Sequence, residues 1–337
     1  MKPIPTLEWR GNSLRLLDQR LLPGEEAYID CTATQELAHA IRTLAVRGAP
    51  AIGIAAAYGS VLAAMETPDS ANFTIDCTAF LDLLASTRPT AVNLFYCLDI
   101  QREILCSSPS KEAAISSMLA KAHSLREDDL ESSRAMGRFG ADLLPDHCTL
   151  LTHCNAGGLA TAGLGTALSV IYEAHSRGIL SSVFADETRP LLQGSRLTAW
   201  ELNKAGIAVK VLPDSAAASL LRTGIIDAVL TGADRVAMNG DSANKIGTYP
   251  LALAAREAGV PFYIVAPVST FDRCAADGGC IEIEERGREE LAVAGGRKIL
   301  PDGVNVYNPA FDVTPARLIT SIICEKGVIS TPADIEW

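Results

Sequence analysis

The segment Thr149-Leu-Leu-Thr-His-Cys-Asn-Ala-Gly-Gly158 is a short apolar run followed by a polar, glycine-rich turn. Four further apolar runs come later in the chain: Ser182-Val-Phe-Ala185, Ala208-Val-Lys-Val-Leu212, Ala228-Val-Leu230 and Phe262-Tyr-Ile-Val-Ala266. Between them lie helical segments over residues 159–175, 196–204 and 247–258, each closed by a glycine, which commonly ends a helix. Apolar strands that alternate with helices are typical of βαβ units. The pattern predicts an α/β, Rossmann-like domain with a parallel sheet.

The first third of the chain has a different pattern. Short strands are predicted over residues 14–17 and 27–30, and helices over residues 51–65, 78–86 and 92–105. The polar stretch 110–144 fits two amphipathic helices or one bent helix. We therefore predict two domains. Residues 1–130 form a mainly helical N-terminal domain with a short β-sheet at its start, and residues 131–337 form a Rossmann-like catalytic domain.

Composition and charge exclude several classes of protein. No stretch approaches the roughly 20 uninterrupted apolar residues of a membrane-spanning helix, and residues 1–5 lack the apolar core of a signal peptide. These features predict a soluble, cytoplasmic protein without a membrane partner. The net charge of −11 argues against nucleic-acid binding, and it requires that any phosphate site be locally basic. The nine cysteines include no C-x-x-C pair, so a zinc ribbon is not indicated.

Polar residues follow the predicted strands. His153-Cys154-Asn155 follows the first strand, Asp186-Glu187-Thr188-Arg189 the second, Pro213-Asp214-Ser215 the third and Asp234-Arg235 the fourth. Ligands of open α/β sheets bind beyond the carboxyl ends of the strands. These residues are therefore candidates for one site.

Two of these residues have chemistry of their own. Cys154 precedes a predicted helix start, where amides favour anions, so it is a candidate for a thiol of lowered pKa or for phosphate binding. The alternative is a buried cysteine beside a turn. Asp234 follows an apolar strand and is a candidate general acid or base, and the alternative is a helix N-cap or a turn aspartate. The glycines after Cys154 lack the spacing of a dinucleotide fingerprint.

Basic residues lie at three further breaks in the pattern. Asn244-Lys245 is predicted to begin a helix, where a lysine is either solvated or holds a phosphate. Arg47 and Arg88 lie in the breaks Arg47-Gly-Ala-Pro-Ala51 and Arg88-Pro-Thr90 between helices. The composition of the sequence does not show whether these cations lie near one another in the fold.

Eight segments, in order, resemble the 5-methylthioribose-1-phosphate isomerases of methionine salvage, a family homologous to the regulatory subunits of the translation-initiation guanine-exchange factor. The first four are Arg47-Gly-Ala-Pro-Ala-Ile-Gly53, Arg88-Pro-Thr-Ala-Val-Asn-Leu94, Thr152-His-Cys-Asn-Ala-Gly-Gly158 and Glu187-Thr-Arg-Pro-Leu-Leu-Gln-Gly-Ser-Arg196. The others are Thr231-Gly-Ala-Asp-Arg235, Ala243-Asn-Lys-Ile-Gly-Thr248, Ile283-Glu-Glu-Arg286 and Tyr307-Asn-Pro-Ala-Phe-Asp-Val-Thr-Pro315. The likeness runs from about residue 40 to residue 331, which makes the set specific.

The resemblance implies an aldose–ketose isomerase of methionine biosynthesis, which converts 5-methylthio-D-ribose 1-phosphate to 5-methylthio-D-ribulose 1-phosphate. By that resemblance Cys154 is the essential cysteine and Asp234 the catalytic aspartate. The positions that hold the substrate are Arg47, Gly48, Ala49, Arg88, Gln193, Asn244 and Lys245. The family implies a homodimer and neither a metal nor a redox cofactor.

Three alternatives stay open from the sequence. In the first, the chain is the same kind of isomerase but its substrate is 5-deoxyribose 1-phosphate or ribose 1,5-bisphosphate. In the second, the chain is a non-catalytic regulatory subunit of the exchange factor. In the third, it is a nicotinamide dehydrogenase. The last rests on fold alone. The Cys154–Asp234 pair argues against the second, because a regulatory subunit needs neither residue.

Overall fold

A small antiparallel sheet begins the chain. The structure is a computed structural model, which describes residues 2–88 and 91–331. The sheet consists of β1 (Leu7–Trp9), β2 (Leu14–Leu17) and β3 (Tyr28–Cys31), with β2 in the centre. The two predicted strands are therefore confirmed, and β1 is a third.

Five helices follow this sheet, and four of them pack around the fifth. They are α1 (Thr34–Arg42), α2 (Ala49–Glu66), α3 (Phe73–Ala85), α4 (Val92–Ser107) and α5 (Lys111–Ala141). Most residues of α2 are buried, and α2 packs against α1, α3, α4 and α5. By length and composition α2 alone, among the described residues, is apolar enough to cross a membrane, but 83% of it is buried inside the protein, as in a core helix. Helix α5 is one continuous helix that passes through residue 130, so the predicted domain division there stays a prediction.

The second half of the chain contains thirteen strands and five helices within the described residues. The strands are β4 (Cys148–Thr152), β5 (Leu180–Asp186), β6 (Val209–Leu212), β7 (Ala228–Thr231), β8 (Arg235–Ala237), β9 (Ser242–Lys245), β10 (Phe262–Val265), β11 (Phe271–Asp272), β12 (Val293–Ala294), β13 (Arg297–Lys298), β14 (Phe311–Thr314), β15 (Ser321–Cys324) and β16 (Gly327–Ile329). The helices are α6 (Ala167–Ser176), α7 (Ala199–Lys204), α8 (Ala217–Leu221), α9 (Thr248–Ala258) and α10 (Glu289–Ala292).

Six parallel strands form the main sheet. Their order is β6-β5-β4-β7-β10-β15, and β16 adds an antiparallel edge strand. Numbered along the chain this is the order 3-2-1-4-5-6 of a Rossmann-like fold, which confirms the predicted fold class. The strand order reverses between β4 and β7. The carboxyl ends of these two strands therefore flank the crevice in which such folds bind ligands.

A second sheet lies beside the first and corrects one prediction. Its order is β11-β8-β9-β14, and Asn244 and Lys245 end strand β9, opposite Asp312 and Phe311 of β14. The prediction that Asn244-Lys245 begins a helix is therefore wrong. Helix α9 begins only at Thr248, because Gly247 has φ +104 and interrupts the regular backbone.

The helix predicted over residues 159–175 is also shorter than expected. Only Ala167–Ser176 is α-helical, and a 3₁₀ turn occupies Gly158–Ala160. Gly165 has φ +84, and a Cβ there would lie 2.4 Å from the Cα of Gly157, so the loop folds back tightly on itself. The segment predicted over residues 196–204 begins as a π-helical turn, Gly194–Thr198, and continues as α7.

Candidate active site

A cleft lies at the carboxyl ends of β4 and β7, beneath the connection between α1 and α2. All nine residues predicted to form the site line it: Arg47, Gly48, Ala49, Arg88, Cys154, Gln193, Asp234, Asn244 and Lys245. They come from distant parts of the sequence and from both halves of the chain. Of the segment around Arg88, residues Pro89 and Thr90 lie outside the described residues.

Cys154 occupies the second position after β4, in a strained backbone conformation. Its φ is +62, which is uncommon for a residue with a side chain. Two threonines hold it there: Thr188 Oγ1 accepts a hydrogen bond from the Cys154 N–H at 2.8 Å, and Thr198 Oγ1 donates to the Cys154 carbonyl oxygen at 2.6 Å. The segment thus turns sharply into the cleft directly after the strand.

The structure corrects the predicted thiol chemistry of Cys154. Helix α6 begins at Ala167, so no helix N-terminus follows Cys154 directly. Burial raises the pKa of the Cys154 thiol, while the positive charges of Arg47 and Lys245 act in the opposite direction. We therefore expect a neutral thiol at neutral pH before substrate binds.

Asp234 lies in the short connection between β7 and β8. Its N–H donates to the carbonyl oxygen of Ala243 at 2.9 Å, which ties the connection to β9. A strand and not a helix follows it, so a helix-cap role is excluded. Desolvation raises the pKa of the Asp234 carboxyl, and the cations Lys245, Arg88 and Arg47 oppose that shift. A carboxyl of raised pKa is suited to donate a proton.

Four cations surround the cleft in a protein of net charge −11. They are Arg47, Arg88, Lys245 and Arg286. The Lys245 ammonium donates to the Ala310 carbonyl oxygen at 2.9 Å and lies 4.2 Å from the ring centre of Phe311. Burial lowers the pKa of the Lys245 ammonium, and the acidic groups of Cys154 and Asp234 raise it. The cleft is locally basic, as an anion site in this chain requires.

Arg47 reaches the cleft because Gly48, which has no side chain, lets the connection between α1 and α2 pack closely against Ala160. A Cβ on Gly48 would lie 2.5 Å from the Cα of Ala160, and Gly48 has φ +94. Ala49 then begins the 18-residue helix α2, so the positive end of that helix faces the cleft. Gly48 and Ala49 thus contribute backbone, and Arg47 contributes the charged side chain.

Two amides complete the predicted set. Gln193 is buried, and its Oε1 has no hydrogen-bond partner among the described residues. Asn244 is buried and donates through Nδ2 to Thr248 Oγ1 at 3.0 Å. An orphaned amide oxygen at a cleft is suited to accept a hydrogen bond from a ligand hydroxyl.

A buried histidine–aspartate pair next to Cys154 links the strands that position the site. His153 Nδ1 lies 2.8 Å from Asp186 Oδ2, and His153 Nε2 lies 2.9 Å from the carbonyl oxygen of Ile246. With Asp214 these residues form a cluster of metal-ligand type in the described part of the chain. Both ring nitrogens are already in hydrogen bonds, and the Asp214 carboxylate accepts two backbone N–H groups at 2.7 Å. The pair therefore braces β4 against β5 and the end of β9.

The model of the Initiation factor 2 subunit family matches residues 45–331. The chain belongs to the Initiation factor 2 subunit family. The family predicted by resemblance is thereby confirmed.

Relatives within the Initiation factor 2 subunit family carry two kinds of name. The methylthioribose-1-phosphate isomerase of Thermotoga neapolitana is 52% identical over 327 residues, which are 97% of this chain and 95% of that protein. The crystal structure of 5-methylthioribose 1-phosphate isomerase from Pyrococcus horikoshii OT3 has a TM-score of 0.92 and 43% identity, covering 98% of this chain and 94% of that one. The translation initiation factor eIF-2B, subunit delta, from A. fulgidus has a TM-score of 0.86 and 44% identity, covering 96% and 95%.

One charged residue of this family member was missed by reasoning from sequence. Arg286 lines the cleft and forms ion pairs with Glu284 and Glu290, each at 3.3 Å. It lies in the segment Ile283-Glu-Glu-Arg286, which matched the family without an assigned role. The match was the only signal, because a lone arginine in a polar stretch is usually solvated.

Proposed function

We propose that this chain is an aldose–ketose isomerase that converts 5-methylthio-D-ribose 1-phosphate to 5-methylthio-D-ribulose 1-phosphate in methionine salvage. The observation that carries the proposal is the shared cleft, in which a buried thiol and a carboxyl of raised pKa face four cations. The relatives that are 50–52% identical are named for this activity.

The cations suit the phosphate of such a substrate. Arg47 and Lys245 lie beside Cys154, so a phosphate on C1 held by them would place C1 and C2 near the thiol and Asp234. The orphaned Gln193 Oε1 would accept a hydrogen bond from a sugar hydroxyl. We assign substrate binding to Arg47, Gly48, Ala49, Arg88, Gln193, Asn244 and Lys245, and we add Arg286.

The reaction must open a ring whose anomeric oxygen carries the phosphate. We assign Asp234 as the acid that protonates the ring oxygen while the bond from C1 to that oxygen breaks. A hydride from C2 then reaches C1, the C2 hydroxyl loses its proton, and a ketone forms at C2. The proton lost from that hydroxyl returns to the Asp234 carboxylate, which restores the acid form. The atoms of the sugar phosphate are therefore conserved.

The neutral thiol of Cys154 favours this hydride route over an enolate route. A thiol must first lose its proton to act as a base at C2, and burial opposes that loss. A neutral thiol instead excludes water and packs against the migrating hydrogen. Deuterium at C2 separates the two routes, because a hydride shift retains the label in the ketose and an exchanging base releases it to water.

Incubation of the purified protein with methylthioribose 1-phosphate, followed by phosphorus NMR, tests the proposal. The ketose 1-phosphate signal should grow as the aldose signal falls. Parallel kcat/KM measurements on 5-deoxyribose 1-phosphate and ribose 1,5-bisphosphate decide the group preferred at C5. Absence of turnover of all three, with stable binding to a heteromeric initiation factor, would instead support a role as a non-catalytic subunit of an initiation factor, the kind of protein that the A. fulgidus relative is named as.

We further propose that the enzyme acts as a cytoplasmic homodimer, without nucleic-acid or membrane partners and without a metal or redox cofactor. The two-domain division at residue 130 belongs to the same proposal. The acidic net charge supports the absence of a nucleic-acid partner. Light scattering of the purified protein measures the oligomeric state directly.

A further inference from the structure

Glu201 is a fully buried carboxylate that does not line the cleft. It lies on α7, its relative exposure is 0%, and the proposed chemistry does not use it. A buried carboxylate is stable only when its oxygens are satisfied. Glu201 has four donors and is therefore held in one position.

The four donors come from the turn after Cys154 and from helix α6. Oε1 accepts from Asn155 Nδ2 at 2.8 Å and from the Leu159 N–H at 3.3 Å. Oε2 accepts from the Gly158 N–H at 2.7 Å and from the Tyr172 hydroxyl at 3.1 Å. Burial raises the pKa of the Glu201 carboxyl, and the hydrogen bonds that it accepts oppose that shift. The Asn155 NH₂ group and the two backbone N–H groups can only donate to it.

Gly157 allows this approach. A Cβ at Gly157 would lie 2.4 Å from both oxygens of Glu201. The paired glycines after Cys154, which lack any dinucleotide spacing, are thus explained locally: Gly157 has no side chain where the carboxylate lies, and Gly158 contributes an N–H.

Glu201 fixes the amide of Asn155, and Asn155 fixes Arg47. A carboxylate only accepts, so the Asn155 NH₂ group must face Glu201 and its Oδ1 must face the other way. There Oδ1 accepts from Arg47 Nη2, and the Asn155 carbonyl oxygen accepts from Arg47 Nη1 at 3.0 Å. Guanidinium only donates, so this orientation is the one that Arg47 requires.

A second amide closes the ring of hydrogen bonds. Arg47 Nε donates to Gln19 Oε1 at 3.2 Å, and Gln19 Nε2 donates to the Leu159 carbonyl oxygen at 2.7 Å. Leu159 is the residue whose N–H is bound by Glu201. The turn held by Glu201 therefore orients Arg47 from both sides.

We infer that Glu201 is a positioning residue that orients Arg47 toward the phosphate of the substrate, through Asn155 and the Gly158–Leu159 turn. This inference rests on the proposed function only for the identity of the sugar. It concerns the anion site, which inorganic phosphate probes without turnover.

Glu201→Gln is the sharpest perturbation because it keeps the size of the side chain. The NH₂ group of the new glutamine must take the place of Oε1 or Oε2. At either position it faces a backbone N–H, and two donors cannot form a hydrogen bond with each other. If it replaces Oε1, Asn155 can keep a bond to residue 201 only by rotating its amide, which gives up the bond from Asn155 Nδ2 to Thr198 Oγ1 at 3.2 Å and turns an NH₂ group toward Arg47. We expect the Kd of inorganic phosphate and the KM of the sugar phosphate to rise by about tenfold or more.

Two further variants make the test specific. Tyr172→Phe removes one donor but leaves the carboxylate, so its phosphate Kd should stay within about threefold of the wild type. In an Arg47→Met background, Glu201→Gln should change the phosphate Kd by less than about twofold, because the two residues act together. Calorimetric titration with phosphate measures the wild type, the three single variants and the double variant, and circular dichroism checks their folding.

An unchanged phosphate Kd in a folded Glu201→Gln variant overturns the inference, and so does an equal loss of affinity in the Arg47→Met background. Should Glu201→Gln not fold, Asn155→Ala removes the same link while Glu201 keeps its other three donors. Wild-type phosphate affinity in folded Asn155→Ala would then overturn the inference. A wild-type protein that binds phosphate but does not isomerise the sugar contradicts the proposed function and leaves the inference on Glu201 standing.

Discussion

Gly48→Ala tests whether the close approach of two segments builds the site. Gly48 has φ +94, and a methyl group there would lie 2.5 Å from the Cα of Ala160, 2.6 Å from its Cβ and 2.7 Å from its carbonyl oxygen. The first two contacts are to parts of the chain that cannot rotate away. Either the start of α2 or the turn Gly158–Ala160 must therefore move.

The expected magnitude has two parts. An unfavourable backbone angle for a residue with a Cβ costs about 1–3 kcal/mol of stability. Forcing extra volume into a packed contact costs about a further 1–3 kcal/mol. A displacement near 1 Å also moves Arg47 and the positive end of α2 away from the substrate, so kcat/KM should fall by about 100-fold or more.

Gly178→Ala is the matched control. Gly178 has φ +73, and a Cβ there has nothing within 4 Å. This variant should show the backbone penalty of about 1–2 kcal/mol without loss of kcat/KM. Urea denaturation and initial-rate kinetics on both variants separate the two effects. Near-normal kcat/KM in Gly48→Ala would refute the reasoning, and so would an equal loss in both variants.

Three other predictions address single groups. Cys154→Ala should lower kcat by about tenfold or more, because the smaller side chain no longer excludes water from the migrating hydrogen, with little change in the melting temperature. Alanine at the exposed Cys106 should change neither, and equal activity of the two variants in a coupled assay would contradict the role of Cys154. Asp234→Asn should lower kcat by about 10²–10⁴-fold and remove one limb of the pH profile. The pKa of Asp234 is raised and its acid form acts, so wild-type kcat/KM should fall as pH rises through that pKa. A pH series of kcat/KM in which the variant keeps the same limb would exclude Asp234 as the acid. Burial raises the pKa of Asp129 to about 7, so its contribution to stability is present below the unfolded pKa near 3.8 and is lost as pH rises to about 7. Between pH 5 and 8 the wild type should therefore lose about 1–3 kcal/mol more than Asp129→Asn, which keeps an acceptor for the Ala162 N–H; parallel urea curves with no such difference would show that the pKa of Asp129 is not raised in the folded protein.

Much of the fold was predictable because its signals are local. A strand buried on both faces needs consecutive apolar residues, so β4, β5, β6, β7 and β10 stand out as short runs. The parallel order then puts their carboxyl ends at one edge, which brings Cys154 and Asp234 to the same crevice. The predicted helix at 159–175 failed because apolar residues and alanines over 159–166 fit a helix equally well, while contacts made elsewhere in the fold hold that segment as a loop. The N–H of Ile4 donates to the carbonyl oxygen of Gly163, and the Ala162 N–H donates to Asp129.

The fold class, the family and the positions of Cys154 and Asp234 at two strand ends could be inferred from the sequence, because each depends on residue types at short spacing or on matched motifs. The protonation and contacts of these residues depend on the folded structure. Cys154 has a raised and not a lowered pKa because the fold buries it and no helix begins there. Lys245 is on a strand, Arg286 joins the cleft, and Glu201 holds Arg47 through Asn155. Charge, burial and hydrogen-bond direction arise from groups far apart in the chain, so no local pattern encodes them.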